Sequence, residues 1–564
     1  MKKLFRFAAF ALSAVCALSC APATVFADEA NVEIDLNTTY QTIDGFGASY
    51  TWYSDWLPSN DHAEQGYDWI FGDAEFNILR FRDLHDVTAA NESQLARDGY
   101  KAYRGYYDAA VARGIDPLVL VTSWGQYRRD LPFVAFTEID DEGHTYYTLA
   151  KNADGEYMYD ELADFCVESI QLFFDAGIPV HYFSISNETE LQGTGKDENG
   201  NARNEAGFFF GSQENEYHCA YWKAHVAVYE AFQKAFGDKA PSITGAEVMA
   251  DTSSLMNKYI NYLQYAAPDS VEMVAHHLYG SANTPRSFKE VSDRYYGKYK
   301  LWQTEYYLND YIKQAEMMAN EFIYENINAY LYWNGVWIED DGNCLIEIAG
   351  YDRSKEIYPR GNHYIMMHFS KYIKRGYQRV KAANKSNSTV VAFKSPDHTK
   401  LVIVAVNRTD SEDSLTFDLG DEVTVKDSLA FRTIGAENRD DFQYWLDADK
   451  YSEEKNVLPP MSVTTYVLDI DAPAPVVPET QPDNDTPDSQ TDSSTSDSQT
   501  DSTSGSQTDN DKPDASNAPA ENPDASSHAS SGGTRLLFII GGIAAAIVVI
   551  GCIAAAVIFA GKKK

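Results

Sequence analysis

Two stretches of this chain repeat one plan. "YYDAAVARGIDPLVLVTSW" (106–124) and "CVESIQLFFDAGIPVHYFSISNE" (166–188) each run through an amphipathic helix, stop at a glycine, and pass through Ile and Pro into an apolar strand ending on polar or aromatic residues. Strands of this kind are buried on both faces, so a chain built from such units is confined to a parallel sheet covered by its own helices. Six more strands fit the series: "GFGAS" (45–49), "FNILRFR" (76–82), "SITGAE" (242–247), "EMVAHHLYG" (272–280), "YKLWQTE" (299–305) and "AYLYWN" (329–334), with helical stretches between most of them. Eight βα units in roughly 330 residues predict an α/β fold, a (β/α)8 TIM barrel, with functional residues at the C-terminal ends of the strands. An open doubly wound sheet gives the same alternation and is the alternative.

From about Arg375 the texture changes to short alternating runs, "TVVAFKS", "KLVIVAVNRT", "SLTFDL", "VTVKDSLAF" and "SVTTYVLDI". These read as an antiparallel β-sandwich. The N-terminal "NVEIDLN" alternates in the same way and is expected to pair with it. The expected layout is a signal peptide over 1–27, the N-terminal strand of the side sandwich over 28–43, the barrel over 44–374 and the sandwich over 375–471. A tether over 472–534 and a membrane anchor over 535–564 complete it.

The ends support that layout. Lys2 and Lys3, an apolar run from Phe7 to Leu18 and "VFA" before Asp28 have the form of a secretory signal. "LLFIIGGIAAAIVVIGCIAAAVIFA" (536–560) is long enough to span about 30 Å of hydrocarbon as a helix. The "GKKK" behind it places the body of the chain outside the cytoplasm. Between body and anchor, residues rich in Asp, Ser, Thr, Pro and Gln bury too little apolar surface to fold and read as an extended tether. The expected location is a bacterial cell surface, Gram-positive in type. A net charge of −38 without a Lys/Arg cluster in the body excludes nucleic acid as a partner. Cys166, Cys219 and Cys344, left once the signal and anchor are set aside, have no metal spacing and imply no disulfide framework.

Glu188 ends the fourth barrel strand and Glu305 the seventh, so a barrel points both into one mouth. Two facing carboxylates are the minimum for cleaving a glycosidic bond: one protonates the leaving oxygen, the other attacks the anomeric carbon or activates water. Taken singly, each is more commonly a salt-bridged strand end. Trp124, His277, Tyr279, Trp302 and Trp333 also fall at or near strand ends, where flat rings suit a sugar.

"QTIDGFGAS" (41–49), "FNILRFRD" (76–83), "ISNETE" (185–190), "AHHLYG" (275–280), "LWQTEYY" (301–307), "MMHFSKYIKRGYQRV" (366–380), "LVIVAVNRT" (401–409) and "LPPMSVTTYVLDI" (458–470) together resemble glycoside hydrolase family 30, nearest to its bacterial xylanase branch. The likeness runs over about residues 31 to 470, in order. It implies a retaining double displacement with Glu188 as acid/base and Glu305 as nucleophile. It also implies that Asn187 holds the sugar 2-hydroxyl, that Arg80 and Tyr279 orient the nucleophile, and that Trp124 and Trp333 shape the −1 subsite; His277 joins the substrate-binding set. No cofactor or metal is expected, and the partner is a β-linked polysaccharide or oligosaccharide bound by a monomer.

The chain departs from the family in three places. Thr189 stands where the family has Pro, "WGQYRRD" replaces a Trp-x-Pro-Pro segment, and the loop after strand 8 carries Glu339, Asp340 and Asp341 where glucuronate-dependent xylanases carry an Arg. An acidic loop repels a glucuronate; Arg128 and Arg129 after strand 3 offer an acidic group another approach, or are a solvated basic pair. His276 and His277 could suggest a metal, but no carboxylate or third His lies at ligand spacing, and a strand alternating core and site residues accounts for the pair. A glycan-binding surface protein without activity, and a glucosylceramidase-like or β-1,6-glycanase enzyme, are the competing functions.

Overall fold

The computed structural model describes residues 31–52, 54–84, 97–124, 131–137, 144–194, 208–250, 252–280, 282–337, 343–349, 356–435 and 443–473. The signal, Arg128, Arg129, the acidic stretch 338–342, nearly all of the tether and the anchor lie outside them. Among the described residues no helix is long and apolar enough to cross a membrane.

Eight parallel strands form the barrel: β1 (Gly45–Ser49), β2 (Ile78–Arg82), β3 (Leu118–Thr122), β4 (Tyr182–Ser184), β5 (Ser242–Ile243), β6 (Met273–His277), β7 (Lys300–Tyr306) and β8 (Ala329–Tyr332). Ladder hydrogen bonds run from β6 through β7, β8, β1, β2, β3 and β4 to β5. The ring closes between β5 and β6 by isolated bridges, where the Gly245 amide donates to the Met273 carbonyl at 2.7 Å and the His277 amide to Val248 at 2.8 Å. An open sheet would leave those edges apart.

Each strand is followed by a helix: α1 (Ala63–Tyr67), α2 (Arg97–Ala112), α3 (Tyr159–Asp175), α4 (Tyr221–Phe236), α5 (Ser253–Ala266), α6 (Pro285–Tyr295), α7 (Tyr311–Asn320) and α8 (Gly361–Ser370). The glycine stops act as their sequence suggests. Gly114 and Gly177 take φ of +80° and +74°, a left-handed turn that a residue with a Cβ adopts at a cost. At its other end α6 is closed by a capping box, Thr284 accepting the Ser287 amide with Pro285 in the first turn.

The connection after β3 carries a hairpin, Val134–Thr137 with His144–Leu149, and the connection after β8 a three-stranded sheet, Val336–Trp337, Ile346–Ile348 and Ile357–Pro359. Both are βα connections and so belong to the functional end of the barrel.

The second domain differs from the expected sandwich. The N-terminal strand (Val32–Thr42) pairs antiparallel with β9 (Gln378–Asn384) and joins one continuous eight-stranded sheet with β10 (Thr389–Lys394), β11 (Lys400–Asn407), β12 (Thr424–Ile434), β13 (Gln443–Asp447), β14 (Ser462–Asp471) and the short strand Phe417–Asp418. The alternation explains why one sheet suffices. Along β11, Val402, Val404 and Val406 belong to the core shared with the barrel helices, while Leu401, Ile403 and Ala405 face a separate core closed by Leu415 and Leu458 of a two-stranded ladder. The helices take the place of a second full sheet.

Candidate active site

The barrel interior changes character one pleat at a time. Its lower layer is apolar: Ile78 on β2, Leu120 on β3, Tyr182 on β4, Ala275 on β6 and Trp302 on β7 form a plug. The Trp302 ring lies 4.8 Å from that of Tyr182, and its indole N–H donates to Asp44 at 2.9 Å. Two residues further along each strand the side chains again point inward, now as Arg80, Thr122 and His277. The register slips between Gln303 and Tyr306 of β7 relative to β8, and between His276 and His277 of β6 relative to β7, which brings Glu305 opposite His277. This one-residue irregularity aims the carboxylate into the mouth.

Arg80 is the hub. Fully buried, it donates from Nη1 to Glu305 Oε2 at 2.6 Å and to Ser49 Oγ at 3.0 Å, from Nη2 to Asn187 Oδ1 at 2.7 Å, and from Nε to Thr122 Oγ1 at 3.2 Å. Its Nη2 also lies 3.1 Å from Glu247 Oε1. The fixed fork of a guanidinium suits this role, since one cation holds two carboxylates and an amide at set angles. The Asn187 oxygen is engaged by Arg80, which leaves its NH2 group as the donor toward the mouth.

His277 is the second hub. Its Nδ1 is 3.2 Å from Glu188 Oε1, and its Nε2 is 3.4 Å from Glu247 Oε1 and 3.9 Å from Glu305 Oε2. Burial opposes a charge on the imidazole, but Glu305, Glu188 and Glu247 together raise its pKa to about 10. It is therefore a cation at neutral pH. Glu247 shows the converse: burial pushes its carboxyl up, but Arg80 and His277 overcome this and hold it at about 2. Burial raises Glu305 above the ordinary carboxylate value; His277 and Arg80 pull it back, and Glu188 pushes the same way as burial.

Glu188 sits just past β4 with φ of +47°, a left-handed conformation uncommon for a residue with a side chain. The Thr189 amide behind it donates to the Glu247 carbonyl at 3.1 Å. An oxygen of Glu188, one of Glu305 and a nitrogen of His277 all lie within 4.8 Å of one another. Glu190, next in "NETE", accepts the Met249 amide at 2.8 Å, and burial lifts its carboxyl to about 7.

Aromatic rings line the rest. The Arg80 guanidinium carbon is 4.8 Å from the centre of the Trp124 ring, and Trp124 is 6.4 Å from Trp333 and 6.3 Å from Trp52. Tyr279 stands edge-on to His277 at 6.0 Å and packs against Tyr306 and Tyr307. The structure thus gathers Arg80, Asn187, Glu188, His277 and Glu305 into one cluster with Trp124, Tyr279 and Trp333 around it. Glu247 and Trp52 were not singled out from the sequence. Glu247 carried the available signal, since it too ends a strand on a carboxylate.

No protein-family model matches the chain. The glucuronoxylanase XynC of Bacillus subtilis (strain 168) is 28% identical over 156 residues, 25% of this chain and 33% of that protein. The match spans about a third of the relative's length. The catalytic domain of the family 30 xylanase C from Talaromyces cellulolyticus superposes with a TM-score of 0.59 at 17% identity, covering 78% of this chain and 99% of that one. An endo-β-1,6-glucanase superposes with a TM-score of 0.55 at 18% identity, covering 78% and 94%. The chain has the fold of the glycoside hydrolase family 30 xylanases.

Proposed function

We propose that this chain, with its family 30 fold, is a retaining β-glycanase acting outside the cell on xylan or a related β-linked polysaccharide. The observation that carries the reading is the carboxylate spacing. Oxygens of Glu188 and Glu305 lie within 4.8 Å. Retaining enzymes keep their two carboxyl groups about 5–5.5 Å apart, whereas inverting enzymes open them to about 6.5–9.5 Å to admit a water.

The charges divide the roles. Arg80 and His277 are two cations facing three carboxylates, Glu188, Glu247 and Glu305, so the cluster balances when one carboxyl keeps its proton. Glu305 and Glu247 each meet Arg80, at 2.6 and 3.1 Å, while Glu188 meets only the imidazole. Glu305, held by Arg80, is the carboxylate placed to attack, and Glu188, on the imidazole side, is the one placed to serve as acid/base. Glu305 attacks the anomeric carbon as Glu188 protonates the departing oxygen, giving a glycosyl ester on Glu305. Glu188, now ionised, takes a proton from water as that water displaces Glu305 from the sugar, and the configuration is retained. The Asn187 NH2 group, set by Arg80, donates to the sugar 2-hydroxyl, and Trp124 and Trp333 frame the ring.

In this reading the secretory signal, the tether and the 536–560 anchor display the catalytic body at a bacterial surface. The fold likeness to an endo-β-1,6-glucanase favours one second reading, a β-1,6-glucan as substrate. The test is product release from xylan with and without glucuronate, β-1,6-glucan and β-galactan, beside Glu305→Gln. Hydrolysis of one polymer, abolished in the variant and giving the β-anomer first, is expected. Binding without release from any of them would leave a glycan-binding protein instead.

A further inference from the structure

Behind the strands that bear the candidate pair lies a second charged cluster. The alternation that turns His277 into the barrel turns His276 out of it. At this level the outward row across β6, β7 and β8 reads His276, Gln303 and Tyr330, each fully buried and each the register partner of the next. Over them lies the end of α7, where the helix widens into a π turn, Glu321–Glu325, carrying two carboxylates four residues apart. Glu321 and Glu325 are both 0% exposed. His276 Nε2 is 2.6 Å from Glu325 Oε1, and one donor atom from each of the three residues falls within 4.8 Å of the others.

The hydrogen count is informative. His276 Nδ1 faces the His277 carbonyl oxygen at 3.2 Å, and a carbonyl only accepts, so Nδ1 carries a hydrogen. In the neutral imidazole Nε2 then presents a lone pair to a carboxylate oxygen, a contact that needs a positive centre between them. The other oxygen of Glu325, Oε2, is buried with no hydrogen-bond partner. A cation seated among the three would meet the imidazole and both carboxylates at once, a coordination that offsets the cost of burying such groups.

We infer that His276, Glu321 and Glu325 form a buried site for a divalent transition-metal cation of the zinc or manganese type. One imidazole with two carboxylates is a donor set such ions accept, and an Nδ1–H held by a backbone carbonyl is the usual support of a ligating histidine. Metal–ligand distances of about 2.0–2.2 Å put tetrahedral donors about 3.3 Å apart, so the 2.6 Å contact opens by about 0.7 Å on binding. The cation ties the strand carrying His277 to the helix that follows Glu305. In sequence the ligands are 49 residues apart, which hides them from any local spacing rule.

The full-length chain is unfolded in chelator and refolded with Zn2+ or Mn2+ alone, then dialysed and its metal counted by mass spectrometry. One metal per chain is expected, with a thermal midpoint higher than that of the chelator-refolded chain. His276→Gln and Glu325→Gln should weaken binding by at least the roughly 10–100-fold that loss of even a supporting partner costs. The double variant Glu188→Gln, Glu305→Gln should keep the full stoichiometry. Loss of metal in that double variant would put the ion in the barrel mouth and overturn the inference. So would less than about a tenth of a metal per chain after refolding with either ion, since a shared proton then suffices. Should the ligand variants fail to fold, X-ray absorption on the wild type decides: one imidazole nitrogen among oxygens supports the site, and a shell containing sulfur or oxygen alone refutes it.

Discussion

Glu247→Gln tests the charge count of the site. The substitution keeps size and hydrogen-bonding capacity and removes one of three carboxylates. Glu247 touches His277 Nε2 at 3.4 Å, and Glu188 touches Nδ1 of the same ring at 3.2 Å. Across the imidazole the two carboxylates stand on the order of 8 Å apart, where a unit charge at an effective dielectric of about 20 is worth about 2 kcal/mol. That is about 1.5 units of proton affinity. His277 keeps its contacts with Glu305 and Glu188 in the variant, so the acid/base of the proposed mechanism has one negative neighbour fewer to hold its proton. The general acid is then lost at lower pH.

The assay is kcat/KM against pH on two substrates of the same sugar, the polymer and an aryl glycoside with an acidic phenol as leaving group. On the polymer the alkaline limb should move down by about 1.5 pH units, a loss of about 30-fold above the limb. The aryl glycoside, whose leaving group departs without a proton, should lose little in its first step. An equal loss on both substrates with the limb unmoved would refute the reasoning and leave Glu247 as a mere prop for Arg80.

Three further outcomes follow from the geometry. Thr189→Pro removes the amide that donates to the Glu247 carbonyl at 3.1 Å, and should cost about 1–3 kcal/mol of stability with a fall in kcat; a neutral thermal melt and unchanged kcat would contradict this. Trp302→Ala empties the barrel plug at a side chain that is 0% exposed and should cost about 3–5 kcal/mol in urea denaturation, whereas a cost under about 1 kcal/mol would mean the barrel floor collapses to fill the gap. Stability should also peak at mildly acidic pH. Glu247, depressed from 4.5 to about 2, contributes stability above pH 4.5 that is lost as pH falls toward 2. His277, raised from 6.5 to about 10, contributes stability below pH 6.5 that is lost as pH rises toward 10. Urea midpoints across pH should show both slopes, and His277→Asn should abolish the alkaline one and weaken the acidic one, since the imidazole helps to hold the Glu247 carboxyl down.

What was legible in the sequence follows the range of the physics behind it. Gly114 and Gly177 end helices through a backbone preference confined to one residue, and the strands after them are marked by apolar runs, so the barrel could be read from local signals. Strand-end carboxylates are equally local. Glu188 and Glu305 were found that way, and Glu247 could have been by the same rule, since "SITGAE" stops on it. The side domain was legible in its strands but not in its layering. Alternation along β11 states that both faces are covered, and it does not say whether sheet or helix covers them.

Pairings made by the closed ring are in no local pattern. Arg80 joins Glu305 from 225 positions away and Asn187 from 107, and His276 meets Glu325 only because α7 folds back over β6. Strand parity decides the surroundings of each side chain: an odd step along β6 separates a histidine that faces Glu188 and Glu305 in the mouth from one that faces a buried pair of glutamates. A register slip of one residue on that strand would exchange the two. The bulge between β6 and β7 therefore does two things at once, seating His277 opposite Glu305 and keeping His276 against Gln303 on the outer row.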